Sequence, residues 1–135
     1  MNSLRLVAWM DDWNMSARLA KLSTLHSYEL KFIEDTLELS NPGTQALFII
    51  DMDSVDEEKF QSVQHLKDDK TVFILGYARK LDSSQVAHFR ELGYDMVLRR
   101  NKLLMNMGPI IKKITDAGWI TKEKMSTYVQ DYFYS

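Results

Sequence analysis

The stretch that most constrains the fold is an unbroken apolar run, Ala46-Leu47-Phe48-Ile49-Ile50, which ends abruptly at Asp51-Met52-Asp53. The run is too short to cross a membrane, and an acidic helix start follows it. A strand that is apolar throughout is typical of a parallel sheet covered by helices on both faces, because neither of its faces meets water. In such sheets the ligand or chemical site lies at the carboxyl ends of the strands. The side chain of Asp51 is therefore the first candidate functional group.

Four further segments are β-compatible, and helical patterns separate them. These predicted strands are Leu4–Met10, Tyr28–Ile33, Thr71–Leu75 and Tyr94–Leu98. Strands that alternate with helices predict an α/β fold with a doubly wound parallel sheet, because each parallel connection needs a right-handed crossover. The carboxyl ends of all five strands then share one edge, which brings together residues that are far apart in sequence.

Turn and cap signals mark the predicted helices. Asp82-Ser83-Ser84-Gln85 resembles a capping box that opens a helix ending at Gly93. Glu34–Leu39 predicts a helix of at most two turns. A long last helix is predicted to kink at Gly108-Pro109, because proline removes a helical hydrogen bond, and to stop at Gly118.

Length and composition set the class of protein. A chain of 135 residues is about one domain, and a formal charge of -2 argues against coating nucleic acid. The chain has no cysteine, which excludes a disulfide framework, a thiol nucleophile and a cysteine-based zinc site. The first residues lack a signal-peptide pattern, and no apolar run has membrane-spanning length. We expect a cytoplasmic protein.

The domain is expected to span residues 1–118, with residues 119–135 as a helical extension. The extension carries a stripe of Met125, Tyr128, Val129 and Tyr132 on one predicted helical face, and Phe133 and Tyr134 follow it. Such a stripe packs on its own domain, on a partner or on a second subunit as a homodimer, and the pattern leaves these options open.

Three stretches together resemble the receiver domain of two-component response regulators, over roughly residues 4–117. They are Val7-Ala8-Trp9-Met10-Asp11-Asp12-Trp13, Leu47-Phe48-Ile49-Ile50-Asp51 and the passage from Phe89 through Gly93, Tyr94 and Asp95 to Arg99. The resemblance implies a flavodoxin-like three-layer sandwich with one extra helix at its carboxyl terminus. It also implies that Asp51 is the candidate phosphoacceptor and that Asp11, Asp12 and Asp51 form a weak magnesium site.

The chemistry explains this residue set, because a carboxylate nucleophile would repel a phosphoryl donor unless a divalent cation bridged the two. Receivers complete the site with a hydroxyl on the fourth strand and a lysine on the fifth. Arg99 stands in place of that lysine and is expected to contact the phosphoryl group.

The remaining switch positions are altered relative to the resemblance. Gly76 stands where receivers carry Ser or Thr, and bulky Tyr77 follows where a small residue is usual. A shift of one residue would put Tyr77 at the hydroxyl position and Ala78 at the small one, and the sequence does not decide between these registers. Met96 replaces the aromatic switch residue, and Arg100 replaces the customary proline.

We therefore expect a divergent receiver-like signalling module that binds a protein, either a histidine kinase or a downstream signalling protein, with weak or absent phosphorylation control. We expect neither a direct nucleic-acid partner nor a membrane. The alternative is a functional single-domain response regulator phosphorylated on Asp51. A simpler interpretation also stays open, in which Asp11 and Asp12 only cap a helix and Asp51 pairs with Arg99.

An enzymatic alternative rests on the spacing Asp51-Met52-Asp53, which resembles the strand-Asp-x-Asp motif of haloacid-dehalogenase-type phosphohydrolases. In that family the first Asp is the nucleophile and the second is the general acid/base. Most candidate magnesium ligands precede this motif here, whereas that family needs a later acidic pair. We expect no enzymatic activity beyond magnesium-dependent self-phosphorylation.

Overall fold

The computed structural model describes residues 4–34, 45–68 and 71–116. Within these residues five parallel strands form one sheet in the order β2-β1-β3-β4-β5. The strands are β1 Arg5–Trp9, β2 Glu29–Phe32, β3 Ala46–Asp51, β4 Val72–Ala78 and β5 Met96–Arg99. This is the flavodoxin-like order, in which the chain winds first one way and then the other from a central strand. The predicted fold class is confirmed.

Helices cover both faces of the sheet. They are α1 Trp13–His26, α2 Glu57–Phe60 with a following 3-10 helix Gln61–Asp68, α3 Ser83–Leu92 and α4 Arg100–Asp116. The predicted capping box is present, because the Asp82 carboxylate accepts from the Gln85 backbone and the Gln85 side chain accepts from the Asp82 backbone. The segments 35–44 and 117–135 lie outside the described residues, so the predicted short helix, the stop at Gly118 and the carboxyl-terminal extension stay predictions.

The core has two layers, one on each side of the sheet. Every residue of β3 is buried, as its continuous apolar run predicts. Alternate residues along the strands pack against α1 and α4 on one face and against α2 and α3 on the other. This alternation decides which side chains can meet at the carboxyl edge of the sheet.

The kink in α4 falls at Asn106, whose φ of -124° and ψ of 23° are not helical. Pro109 explains the break, since its ring clashes with the carbonyl of the residue four positions earlier, Met105. The Asn106 side-chain amide donates to the Lys102 carbonyl at 2.9 Å, one turn earlier in the same helix. The predicted kink is confirmed in its cause and lies two residues before Gly108.

The strand β4 runs through Gly76 to Ala78 and so ends three residues later than the sequence predicted. A Cβ built at Gly76 would lie 2.5 Å from Met52 Sδ and 2.6 Å from Tyr94 Cε1. The Tyr94 ring stacks on Phe60 with 4.0 Å between ring centroids. Gly76 is therefore a packing residue that makes room for this stack, and the strand does not end there.

Replacing Gly76 with alanine should lower the free energy of unfolding by about 1–3 kcal/mol, because the added methyl overpacks the core. Gly108→Ala is the matched control, since a Cβ there would meet only Leu22 Cδ1, at 3.8 Å. Urea denaturation of the two variants measures the difference. Equal stability of both variants would show that the Tyr94 and Met52 side chains can move aside without lowering the free energy of unfolding.

Candidate functional site

Asp51 ends β3 with only 4% of its surface exposed. One carboxylate oxygen accepts from the Ser54 hydroxyl at 2.9 Å and from the Asp11 backbone N–H at 3.3 Å. The other oxygen accepts from the Asp53 backbone N–H at 3.1 Å. The loops after β1 and β3 therefore meet at Asp51, and the structure brings Asp11 to it as the sequence predicts. The contact runs through the Asp11 backbone, while residue Asp11 itself is exposed.

Asp12 is held from three directions. It caps α1 by accepting from the Met15 backbone N–H at 3.2 Å. The Arg100 guanidinium donates to both of its oxygens, from Nε at 2.8 Å and from Nη2 at 3.1 Å. The Tyr77 hydroxyl donates to Asp12 Oδ2 at 3.1 Å. The side chain of Asp12 is 8% exposed and that of Arg100 is 17% exposed, so the two form a largely buried, bidentate ion pair.

The protonation states of this cluster follow from its contacts. Hydrogen bonds from Arg100 hold the pKa of Asp12 below its usual range, although burial opposes them, and the same contact raises the pKa of Arg100. Burial, together with the nearby carboxylates of Asp51 and Asp12, raises the pKa of Tyr77. Tyr77 is therefore a protonated donor, and Asp12 and Arg100 are charged. We call Asp12, Tyr77, Arg100 and Asp51 the strand-end cluster.

The register between β3 and β4 resolves the ambiguity at Gly76 and Tyr77. Asp51 is paired with Tyr77, and Gly76 is paired with Ile50. Tyr77 belongs to the core layer of α1 and α4 and is completely buried, whereas Gly76 contacts Tyr94 and Met52 of the opposite layer. The strand hydroxyl beside Asp51 is therefore that of Tyr77. Its phenol fills the space with a ring and commits its hydroxyl to Asp12.

Arg99, which is expected to contact the phosphoryl group, donates from Nε and Nη2 to the Leu81 carbonyl at 3.2 and 3.0 Å. The phosphoryl contact stays a prediction. Side chains alternate along β5, so Met96 and Leu98 share the face of Tyr77, while Val97 lies on the other face. Arg100 follows on the same face as Met96 and Leu98, and its side chain reaches Asp12. In the sequence, Arg100 is notable only because receivers usually carry proline at that position. The alternation of side chains along β5 is the signal that could have identified Arg100 as a partner of Asp12.

Met96, the predicted switch position, is fully buried in the core layer of α1 and α4. Its side chain packs among apolar neighbours and is not presented at the carboxyl edge of the sheet. Met96 is thus a core-packing residue.

The residues present do not fit a magnesium ion as they are arranged. Of the predicted ligands, Asp11 and Asp51 meet, but both oxygens of Asp12 are bound by Arg100. Within the described ranges, no three His, Cys, Asp or Glu side chains are placed to hold a metal ion. The Arg100 guanidinium supplies the positive charge that a cation would otherwise bring to Asp12. Magnesium binding remains a prediction from the sequence, and this geometry does not support it.

The lowered pKa of Asp12 makes a pH-dependent contribution to stability. A carboxyl whose pKa is lower in the folded state stabilises the fold above its unfolded pKa, and this contribution is lost as the pH falls through the folded value. We expect the urea midpoint to fall below about pH 4 and this dependence to flatten in Asp12→Asn. Asp116→Asn is the control, because Asp116 is an exposed carboxylate at the end of α4. An unchanged acid profile in Asp12→Asn would contradict a titrating Asp12–Arg100 pair.

Comparison with known proteins adds evidence on the fold alone. No protein-family model matches the chain, and no curated protein sequence matches it. Among solved structures, it is similar to the crystal structure of the regulatory domain of the master biofilm regulator CsgD. The TM-score is 0.64 at 12% sequence identity, and the match covers 93% of this chain and 96% of that one. This likeness confirms the predicted receiver-like fold.

Of the helices in the described ranges, none combines the length and apolar character needed to span a bilayer.

Proposed function

We propose that this receiver-like domain is a cytoplasmic signalling module that acts by binding a protein, independently of magnesium and of phosphorylation. The observation that carries the proposal is the buried pair between Asp12 and Arg100, to which Tyr77 adds its hydroxyl. Partners of this kind are a histidine kinase, a downstream signalling protein or a second copy of the chain. The structural likeness to a regulatory domain supports a regulatory role.

The charge arrangement argues against phosphoryl transfer to Asp51. Transfer to a carboxylate needs a cation that offsets the charges of nucleophile and donor. For Asp12 to bind such a cation, Arg100 would have to leave, and breaking a buried ion pair costs about 3–5 kcal/mol. Tyr77 also fills the position beside Asp51 with a buried ring. At the carboxyl edge, the charge of Asp12 is thus already paired with Arg100, and the ring of Tyr77 fills the space beside Asp51.

The side chains through which a receiver would change conformation are also held in place in this chain. A ligand shifts a conformational equilibrium only through contacts that differ between the two states. Here the strand hydroxyl is already bound to Asp12, and Met96 is packed in the core. A domain with these features presents one constant surface to its partner.

The alternative of a functional response regulator rests on Asp51, which ends the central strand beside the Asp11 backbone. The phosphohydrolase alternative needs Asp53 as general acid/base. The Asp53 carboxylate accepts from the Arg79 backbone N–H at 3.0 Å, which ties the loops after β3 and β4 together and favours a structural role.

Beryllofluoride, which mimics a phosphoryl group on aspartate, tests the proposal when it is added with Mg²⁺ to the unmodified protein. We expect the amide NMR spectrum to be unchanged along β4, α3 and β5, and Asp51→Asn to give the same result. Large shifts that extend across these elements in the natural chain, and that disappear in Asp51→Asn, would overturn the proposal and establish the phosphorylated response regulator.

A further inference from the structure

A groove of about 340 Å³ opens where the loop after β4 meets the end of β5. We call it the basic groove, and its lining is Arg79, Lys80, Leu81, Asp82, Gln85 and Arg99. Three of these residues are cations and all three are exposed. The groove is adjacent to the strand-end cluster, because the Arg79 backbone bonds to Asp53 and β4 pairs with β3 at Asp51.

The cations of the basic groove have no acidic side chain as a partner within residues 4–34, 45–68 and 71–116. Arg79 uses its backbone N–H to bond Asp53, which leaves the guanidinium available. Arg99 donates from Nε and Nη2 to the Leu81 carbonyl, so its guanidinium is fixed in place but not neutralised. Positive charge is therefore held at the groove without a counter-charge from the described part of the chain.

The acid that lines the groove, Asp82, does not neutralise these cations. Its carboxylate accepts from the Gln85 backbone N–H at 2.8 Å and from the Ser84 hydroxyl at 2.7 Å. Hydrogen bonds from these residues, first from Ser84, hold the pKa of Asp82 below its ordinary value. Asp82 thus serves the amino terminus of α3. Since this carboxylate already accepts from the Gln85 backbone N–H, that donor of the helix end is not free for a phosphate group.

We infer that the basic groove docks a short acidic segment of the protein partner, through carboxylates that pair with Arg79, Lys80 and Arg99. The inference rests on the proposed function as a protein-binding module and names the chemistry of its partner. Three cations in a small groove suit a few spaced carboxylates. A nucleic acid instead requires many phosphate contacts over a longer track, and the chain as a whole carries a formal charge of -2.

The test measures binding of a fluorescein-labelled hexaglutamate peptide by anisotropy at low ionic strength, with a hexaglutamine peptide as the uncharged reference. We expect the double substitution Arg79→Gln/Lys80→Gln to weaken hexaglutamate binding by about tenfold, because surface ion pairs each contribute modestly. The matched control is Arg18→Gln/Lys21→Gln, which removes one exposed arginine and one exposed lysine from α1. This control should bind within about twofold of the natural chain.

Amide NMR locates the contact, and we expect hexaglutamate to shift residues 79–82 and Arg99. Equal weakening in both double variants, or shifts confined to other residues, would overturn the inference. Tighter binding of a single-stranded oligonucleotide of equal charge through the same residues would overturn it in favour of nucleic acid. The peptide-binding solutions contain neither Mg²⁺ nor beryllofluoride. If hexaglutamate does not bind the basic groove, the proposed magnesium independence is therefore unaffected. A response to beryllofluoride in the separate titration would likewise not change the peptide-binding result.

Discussion

Replacing Arg100 with methionine should lower the free energy of unfolding at neutral pH by about 3 kcal/mol, because it leaves the Asp12 carboxylate buried without its counter-charge. Asp12 is 8% exposed at its side chain, and its remaining partners are the Tyr77 hydroxyl and the Met15 backbone. Methionine retains much of the apolar stem of arginine, so the loss reports mainly on the charge. Urea denaturation followed by circular dichroism measures it.

The neighbouring arginine provides the matched control. Arg99 is exposed and bonds only to the Leu81 carbonyl among the contacts described here, so Arg99→Met should cost about 1 kcal/mol. The double variant Asp12→Asn/Arg100→Met should recover part of the stability, because it removes both charges. If Arg100→Met were no less stable than Arg99→Met, the buried pair would not hold the carboxyl edge together.

Truncating Tyr77 to alanine should lower the free energy of unfolding by about 3–5 kcal/mol, because it opens a large cavity in the core. In the described part of the chain, Tyr77 is the largest side chain that is fully buried. Tyr77→Phe should cost about 1–2 kcal/mol, since it keeps the ring and removes one donor from buried Asp12. Chemical denaturation of both variants separates ring packing from hydroxyl bonding.

The two Tyr77 variants must differ for this account to hold. If Tyr77→Phe were as destabilising as Tyr77→Ala, the hydroxyl contact would dominate and the ring would not be filling the space beside Asp51. If Tyr77→Ala were tolerated without loss, the position would be loosely packed and open to a phosphoryl group.

The order of elements could be predicted from hydrophobic patterning, because most strands are short apolar runs and three of the helices follow a capping Asp. Asp51 could be identified in this way, because a buried strand that ends at a carboxylate can be recognised from the sequence alone. The capping box at Asp82 was equally local, as all its members lie within one turn.

The partners of these residues could not be predicted, because they depend on which face each side chain occupies. A shift of one residue moves a side chain to the opposite face of a sheet. The sequence could not decide between Gly76 and Tyr77 because the close approach of Tyr94 to Gly76 is a tertiary contact. At the end of β5, the resemblance pointed to Arg99, whereas the contact with Asp12 depends on the face that Arg100 occupies. The departures from the sequence prediction therefore cluster at the carboxyl edge of the sheet.

We propose that Arg100 takes the place of a divalent cation at Asp12, and a magnesium titration of the unmodified protein followed by amide NMR is the direct test. We expect no saturable shift at Asp11, Asp12 or Asp51 at millimolar Mg²⁺, because displacing Arg100 would cost more than the weak binding returns. Saturable shifts at these three residues in the natural chain, abolished by Asp12→Asn, would contradict it.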